Sequence, residues 1–260
     1  RMFSFSYKIL ITTVVNIVSQ NLLTFIFGRL YTANAVGNFS QAFKWDTMAS
    51  TMVSGTTSQV AQPVLAEVKL ETERQVTVFR KMLRFTAFLA FPAMFGLSMV
   101  AHEFIIVLIS DKWANSIPLL RILCISGAFL PFYTLYQNLM ISRGKSDVYL
   151  WITTSLIAVQ LLLVLLCHTK GMIFMVSAYT VATVLWLFVW QVFAYREISI
   201  RLYDVLRDII PYMFISAVII IAVYFATSGI QNLIVLLLTR IILAIAAYFI
   251  TMKLLGFKIL

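Results

Sequence analysis

The sequence predicts an all-α protein, a polytopic transmembrane helix bundle with about eight spans, and two observations support this fold class. Hydrophobic residues make up 62% of the 260 and charged residues only 12%, whereas soluble domains are typically about half apolar and about a quarter charged. The apolar residues fall in runs of ~20, the length of a helix that crosses the hydrocarbon core, and short charged segments separate the runs. A membrane β-barrel would instead show strands of alternating polarity, so the pattern indicates helices.

The order of the apolar runs sets the expected topology. With the N-terminus placed in the cytoplasm, fourteen Lys and Arg residues fall in cytoplasmic segments and five in outer segments. This asymmetry follows the positive-inside rule, so both ends of the chain are predicted to be cytoplasmic. The chain opens with Arg1-Met2 and enters an apolar run almost at once, so we expect a piece of a longer protein. The predicted spans are 6–29, 42–64, 83–109, 117–141, 147–167, 171–194, 210–228 and 232–254.

Two predicted cytoplasmic segments are long enough to be helical. Residues 65–82 carry both charge signs and are predicted to form a helical connector. Residues 196–210 place apolar side chains on one face, which fits a helix on the inner membrane surface, although an ordinary connector fits equally well. Two prolines are expected in first helical turns, where the missing N–H costs nothing, and two inside spans, where they kink the helix: Pro118 and Pro211 in the first group, Pro92 and Pro131 in the second.

The second span is too polar for a helix surrounded by lipid. Residues 36–64 contain Ser, Thr, Gln and Gly throughout, and polar groups in hydrocarbon need partners. The polar residues recur every three or four positions, which keeps them on one helical face. The first span has a similar stripe, so the two spans are predicted to line an aqueous cleft, with hydrogen-bonded helix packing as the alternative. The predicted path residues are Thr13, Asn16, Gln20 and Thr24 in the first span, and Gln41, Lys44, Asp46, Thr47, Thr51, Ser54, Ser58 and Gln62 in or beside the second.

Three further polar residues lie within the later spans. Arg121 falls about one turn into the fourth span, near its outer end. A buried arginine is a good partner for phosphate, so Arg121 is a candidate phosphate contact, but an arginine so near a helix end more readily reaches out to water. Gln137 and Gln160 are interpreted as packing contacts, the usual role of isolated amides in spans.

No pattern of residues predicts catalysis. The chain has no Gly-rich phosphate loop, no zinc-binding His pair and no nucleophile beside a base, so we predict that it is not an enzyme and needs no metal or cofactor. Cys124 and Cys167 lack metal-ligand spacing and are predicted to be unpaired. The basic residues lie in short loops rather than on one face, which argues against nucleic acid as a partner.

Several short segments follow one another in an order seen in a known family. The first is Gly28-Arg29-Leu30-Tyr31-Thr32 with Val36-Gly37-Asn38-Phe39-Ser40-Gln41-Ala42, where Phe39 and Ser40 stand in place of the more usual Tyr and Asn. Later segments are Phe91-Pro92 with Gly96-Leu97, Trp113, residues 118–124, Asn138, residues 142–147 and residues 202–211. Together these segments resemble the Wzx-type polysaccharide flippases of the multidrug/oligosaccharidyl-lipid/polysaccharide (MOP) superfamily.

The resemblance implies a MATE-like fold, in which two six-helix lobes face a central cavity and further helices follow the second lobe. Residues 1–194 would form the second lobe, and residues 195–260 an amphipathic connector with two C-terminal spans. The resemblance also implies that the protein moves lipid-pyrophosphate-linked oligosaccharides across the bacterial inner membrane by alternating access, in some members with coupling to Na⁺ or H⁺. The implied partners are the lipid-linked oligosaccharide, membrane lipids and the missing first lobe.

Two other functions stay open at this point. One is a different MOP transporter, either a peptidoglycan lipid flippase or a drug/cation antiporter. An antiporter would be expected to hold an acidic residue deep in a span, whereas Asp46 and Glu103 are expected near outer ends. The other is a membrane glycan polymerase, which generally needs a sizeable outer loop, and the outer loops here are short.

Overall fold

The computed structural model describes residues 7, 10–12, 14, 26–68 and 70–256, which form helices and turns and no β-strand. Residues 26–30 are helical and precede the eight helices that we number from α1. A π-helical turn, Phe104–Ile109, continues α2, and 3₁₀ turns at Asp111–Ser116 and His168–Lys170 precede α3 and follow α5. The helices are α1 Ala33–Glu67, α2 Thr72–Glu103, α3 Ile117–Gly127, α4 Leu130–Ser142, α5 Ser146–Cys167, α6 Met172–Ile198, α7 Leu202–Ala226 and α8 Leu233–Leu254.

Six segments of the described residues are long and apolar enough to cross a membrane: Thr72–Ile109, Asp111–Ser142, Ser146–Lys170, Met172–Ile198, Leu202–Ala226 and Leu233–Leu254. They coincide with the last six predicted spans, and the all-α polytopic fold class is confirmed. Helix α1 is absent from this group even though it has 35 residues, because its polar side chains set it apart from the other long helices. The first predicted span, 6–29, lies mostly outside the described residues.

One proline lies at the start of the fourth span and another at a break within it. Pro118 lies at the start of α3, where its missing N–H leaves no helical hydrogen bond unmade. The fourth span is divided between α3 and α4, and Pro131 lies in the first turn of α4 just after the break. The expected kink thus takes the form of two helices joined at Ala128 and Phe129.

The connector predicted at 196–210 is not a separate helix on the membrane surface. Helix α6 continues to Ile198, the chain turns through Ser199 in a left-handed conformation with φ 57°, and α7 runs without interruption from Leu202. Pro211 therefore lies inside α7 rather than in its first turn, so that prediction is wrong. In residues 202–210 the bundle buries Val205, while Leu202, Leu206 and Ile210 stay exposed on the surface of α7.

The helices pack as a bundle in which α1 contacts α2, α3 and α4. Residues of α2, α3 and α4 contribute many of the buried core residues, with Phe91 and Phe132 in tilted ring contact 5.7 Å apart and both fully buried. Helices α7 and α8 form a hairpin that packs on the opposite side of α2. The division into a lobe of residues 1–194 and a trailing part of 195–260 stays a prediction.

The two ends of the bundle differ in charge. We call one of them the basic end; it contains residues 67–68, 70–84, 142–146, 196–208 and 253–256, which carry most of the Lys and Arg of the described chain. The opposite end contains the turns around residues 31, 110, 169 and 229. Long-range contacts hold each end together: Arg143 Nη2 donates to Thr72 Oγ1 at the basic end, and Tyr31 OH donates to the His168 carbonyl at the other.

Candidate functional site

A polar cavity of about 310 Å³ lies between α1 and the helices α3 to α6. It lies between five helices that are drawn from residues 33–198, so no single segment indicates it. The apolar part of its wall consists of Phe43, Leu130, Leu156, Ile157 and Trp190, and the polar part of Asp46, Thr47, Ser50, Thr51, Ser54, Ser126, Tyr133, Thr134, Gln137, Thr153, Gln160, Tyr179 and Thr183. Hydroxyl and amide groups outnumber charges in this wall, which suits a neutral polar ligand such as a sugar.

Among the residues that the structure describes, Asp46 is the one charged residue in the wall of this cavity. It is 2% exposed, its Oδ1 has no hydrogen-bond partner, and no Lys, Arg or His of the described residues lies within ion-pair distance of its carboxylate. An ionised carboxylate without a partner is costly to bury. A buried polar atom without a partner is rare in native proteins, so Asp46 calls for a specific explanation.

Gly127 provides the space that the Asp46 carboxyl occupies. A Cβ atom added to Gly127 would lie 2.2 Å from Asp46 Oδ1 and 2.4 Å from Met94 Cε. Any larger residue at this position would displace the carboxyl or the methionine. The backbone of α3 therefore contacts the Asp46 side chain directly, at the place where the fourth span breaks.

Hydrogen bonds join the helices on the far side of the cavity. Gln160 Nε2 donates to Thr183 Oγ1 over 3.1 Å, which links α5 to α6, and Tyr133 OH donates to the Thr183 carbonyl, which links α4 to α6. Ser126 and Thr180 are hydroxyl neighbours at 3.4 Å. These bonds orient the polar groups and leave the cavity as a preformed feature of the fold.

The structure separates the predicted path residues of the second span into two groups. Asp46, Thr47, Thr51 and Ser54 line the cavity. The others do not: Ser58 accepts a hydrogen bond from Asn138 Nδ2 over 3.2 Å, as helix packing predicts, and Gln41, Lys44 and Gln62 lie elsewhere on α1. Thr13, Asn16, Gln20 and Thr24 of the first span lie outside the described residues.

The expectation that Asp46 lies near an outer helix end is wrong. Helix α1 begins at Ala33 rather than at residue 42, because residues 33–41 also adopt helical structure and Thr32 accepts a hydrogen bond from the Ala35 N–H as N-cap. At 1.5 Å per residue, Asp46 lies about 20 Å along the helix. Glu103, in contrast, does lie at the end of α2.

Several residues of the cavity wall were not predicted from the sequence. Ser50 and Ser126 are not part of either stripe, and Gln137 and Gln160 were interpreted as packing contacts, although both line the cavity. Gln160 lines the cavity and also makes a packing contact, because its amide donates a hydrogen bond to Thr183. An isolated Gln in an apolar run does not by itself distinguish a cavity wall from a packing contact, because the sequence does not show which helices surround it.

Arg121 lies away from the polar cavity. Its side chain is exposed and borders a separate groove with Phe95, Ser98 and Tyr224. No carboxylate of the described residues forms an ion pair with it. The exposure of Arg121 agrees with the interpretation that its side chain extends toward water. A phosphate contact at Arg121 stays a prediction.

Comparisons with known proteins connect this arrangement to one group of membrane proteins. Residues 1–118 match a family model described as "Polysaccharide biosynthesis protein". The chain is 24% identical over 136 residues to the lipopolysaccharide biosynthesis protein WzxC of Escherichia coli (strain K12), covering 52% of this chain and 28% of that protein. It is 25% identical over 183 residues to the teichuronic acid biosynthesis protein TuaB of Bacillus subtilis (strain 168), covering 70% and 38%.

A third relative and one solved structure complete the comparison. An uncharacterized membrane protein in the cps region of Klebsiella pneumoniae is 26% identical over 143 residues, 55% of this chain and 30% of that protein. The chain thus spans about a third of the length of the curated relatives that it matches. The structure of the lipid II flippase MurJ in an inward closed conformation superposes with a TM-score of 0.73 at 15% identity, over 96% of this chain and 52% of that one. At this identity the likeness shows a shared fold.

The motifs, the family match and the shared fold agree with one another. The chain is a multi-pass membrane protein; its first 118 residues match the polysaccharide biosynthesis family model, it is similar in sequence to WzxC and TuaB, and it shares its fold with the MurJ flippase.

Proposed function

We propose that the protein containing this chain moves lipid-pyrophosphate-linked oligosaccharides, the repeat units of a polysaccharide, across the bacterial inner membrane by alternating access. The observation that carries the proposal is α1, a 35-residue helix that presents four hydroxyl groups and the Asp46 carboxylate to a polar cavity inside an otherwise apolar bundle. A sugar carries many hydroxyl groups, and each costs free energy in hydrocarbon unless a polar group replaces its water. The relatives named for lipopolysaccharide and teichuronic acid biosynthesis support this class of substrate.

The cavity of about 310 Å³ is smaller than an oligosaccharide, so we propose that it forms one wall of a larger path. Thr51 lines the cavity and is also exposed on the surface of the bundle. This exposed face of α1 would meet the first lobe. Rocking of the two lobes would then open the path to each side in turn, as in other transporters built from repeats.

We place the basic end in the cytoplasm, in keeping with the positive-inside rule. On this orientation the lipid-linked unit enters from the cytoplasmic side and leaves on the opposite one. The protein would act as a transporter and catalyse no covalent step. Its partners would be the lipid-linked oligosaccharide, the surrounding lipids and its own first lobe.

The test uses cells that lack the gene for the full-length protein. Spheroplasts are treated with an added glycosidase, which reaches only lipid-linked glycan in the outer leaflet. Accumulation of complete units that resist the enzyme supports flipping as the lost step. Units that reach the outer leaflet but stay unpolymerised would overturn the proposal in favour of a glycan polymerase.

A variant pair on α1 tests the path itself in the same cells. Thr51→Leu removes a hydroxyl that lines the cavity and should reduce outer-leaflet glycan by about tenfold or more, the effect of leaving a polar ligand group unpaired. Thr56→Leu is the matched control, because Thr56 is also exposed on α1 and also donates to its own helix backbone, but does not line the cavity. Equal export by the two variants at equal protein levels would remove α1 from the path.

A further inference from the structure

A second pocket lies at the basic end, where the α7–α8 hairpin meets α2. It has a volume of about 430 Å³ and is lined by Arg84 of α2, by residues of α7 and by the turn that follows α8. This pocket is separate from the polar cavity and shares no residue with it. The complete lining is Arg84, Arg207, Asp208, Pro211, Tyr212, Leu255 and Gly256.

The carboxylate in this pocket belongs to Asp208, and it is paired with Arg80, which lies outside the pocket. Arg80 donates to Asp208 through Nε at 2.6 Å and through Nη2 at 3.3 Å, a two-pronged pairing that uses both carboxylate oxygens. Arg80 also lies 3.5 Å from Asp204. Arg80 therefore neutralises much of the negative charge of Asp204 and Asp208. It does not itself line the pocket.

The two arginines that do line the pocket are much less well satisfied. Arg84 Nε is 4.0 Å from Asp208 Oδ1, beyond hydrogen-bond reach, and it is buried without a hydrogen-bond acceptor. Arg207 is exposed, and no carboxylate of the described residues forms an ion pair with it. The Arg84 side chain is still 34% exposed, and neither guanidinium donates a hydrogen bond to a described residue, so both have donors available for an anion in the pocket.

The surroundings of the pocket favour a lipid over a free ion. Pro211, Tyr212 and Leu255 give it an apolar wall, and exposed apolar residues continue from it along the hairpin, among them Leu254 at 81% exposure and Phe214 at 67%. Basic pockets between helices at the cytoplasmic side of a membrane bind anionic head groups. A phosphodiester would accept from the guanidinium groups while its acyl chains lie against α7 and α8.

We propose that this pocket binds the phosphate of an anionic membrane phospholipid and thereby holds the α7–α8 hairpin against α2. The site is distinct from the glycan path, and the proposal does not depend on the proposed function. Arg84 and Arg207 donate to the phosphate, and Arg80 keeps Asp208 from competing for them.

The experiment uses the purified full-length protein, with lipid binding followed by native mass spectrometry and by thermal unfolding. Phosphatidylglycerol should bind and raise the unfolding temperature, whereas phosphatidylcholine should not. Arg84→Gln and Arg207→Gln should each weaken phosphatidylglycerol binding by about tenfold or more, the effect of losing one charge-assisted hydrogen bond. Arg74→Gln is the control, because Arg74 lies on the same helix at the same end but is exposed and outside the pocket.

Three outcomes would overturn the proposal. The first is equal binding by all three variants, which would show that the lipid sits elsewhere. The second is equal binding of phosphatidylcholine, which would show that the charge of the head group plays no part. The third is stabilisation by inorganic phosphate that matches that of the lipid, which would make the pocket a site for free anions.

Discussion

At the scale of single residues, the contact between Asp46 and Gly127 is the most specific feature of the cavity. A carboxylate that is 2% exposed lies against a glycine that has no room for a side chain. The two residues are on different helices and are 81 positions apart. Their contact couples the polar face of α1 to the break in the fourth span.

Gly127→Ala should destabilise the protein. The new methyl group would lie 2.2 Å from Asp46 Oδ1 and 2.4 Å from Met94 Cε, and overpacking of this kind typically costs about 1–3 kcal/mol. We expect a lower unfolding temperature in detergent. Gly96→Ala is the control, since its Cβ would meet only Ile220 Cδ1 at 3.9 Å and alanine favours a helix by about 1 kcal/mol. Similar behaviour of the two variants would show that Gly127 is not tightly packed.

Asp46→Asn should separate stability from activity. The amide has almost the same shape and removes a buried charge, so we expect the unfolding temperature to stay the same or to rise. If the carboxylate belongs to the path, glycan export should fall severalfold in the spheroplast assay. Asp147→Asn is the control, because Asp147 is exposed in the first turn of α5. A loss of stability together with export would assign Asp46 a structural role.

At the scale of elements, the α7–α8 hairpin is attached to the bundle at both ends. At the opposite end, Arg240 Nη1 lies 2.7 Å from Glu103 Oε1, with both side chains 5% exposed. Arg240 also donates through Nε to Thr227 Oγ1 and lies over the Tyr224 ring. At the basic end the hairpin is held by the pairing of Arg80 with Asp208.

Removing one partner of the Arg240–Glu103 pair should be strongly destabilising. Glu103→Gln leaves a buried guanidinium without its counter-ion, and such losses cost about 3–5 kcal/mol. The double change Glu103→Leu with Arg240→Met should recover much of the loss, because it removes both charges. Unfolding temperatures of the purified full-length protein would measure both effects.

The control for this prediction is a more exposed ion pair in the same chain. Lys145 Nζ lies 3.3 Å from Glu197 Oε1, but the lysine side chain is 47% exposed, and exposed pairs contribute about 0–1 kcal/mol. Glu197→Gln should therefore change the unfolding temperature little. Equal losses for the two pairs would contradict the buried geometry of Arg240 and Glu103.

At the scale of the whole molecule, the charge difference between the two ends predicts the orientation in the membrane. A cysteine introduced at Ser228, in the exposed turn between α7 and α8, should react with a membrane-impermeant maleimide in intact spheroplasts. A cysteine introduced at Arg201, at the basic end, should react only after the membrane is opened. Cys124 and Cys167 would first be replaced by alanine in the full-length protein. The reverse pattern would invert the orientation.

The membrane character, the approximate limits of the later spans and the unusual polarity of α1 could be predicted from the sequence. These features depend on composition and on local periodicity, which neighbouring residues determine among themselves. The start of α1 at Ala33 and the uninterrupted course of α7 through Pro211 could not be predicted. Packing against α2 stabilises the first turns of α7 as part of a span, and local pattern alone does not distinguish that burial from contact with a membrane surface.

By itself, the sequence determined the class of protein, its resemblance to the polysaccharide flippases and the presence of a polar helix in an apolar bundle. Only the tertiary structure decided which polar residues meet: that Asp46 faces Gly127, that Gln160 joins Thr47 and Ser126 in one cavity, and that Arg84 and Arg207 share a pocket. The physical reason is that a cavity forms between helices distant in the chain. The spacing of residues along one helix defines its faces, but the packing of all the helices selects the neighbour that each face meets.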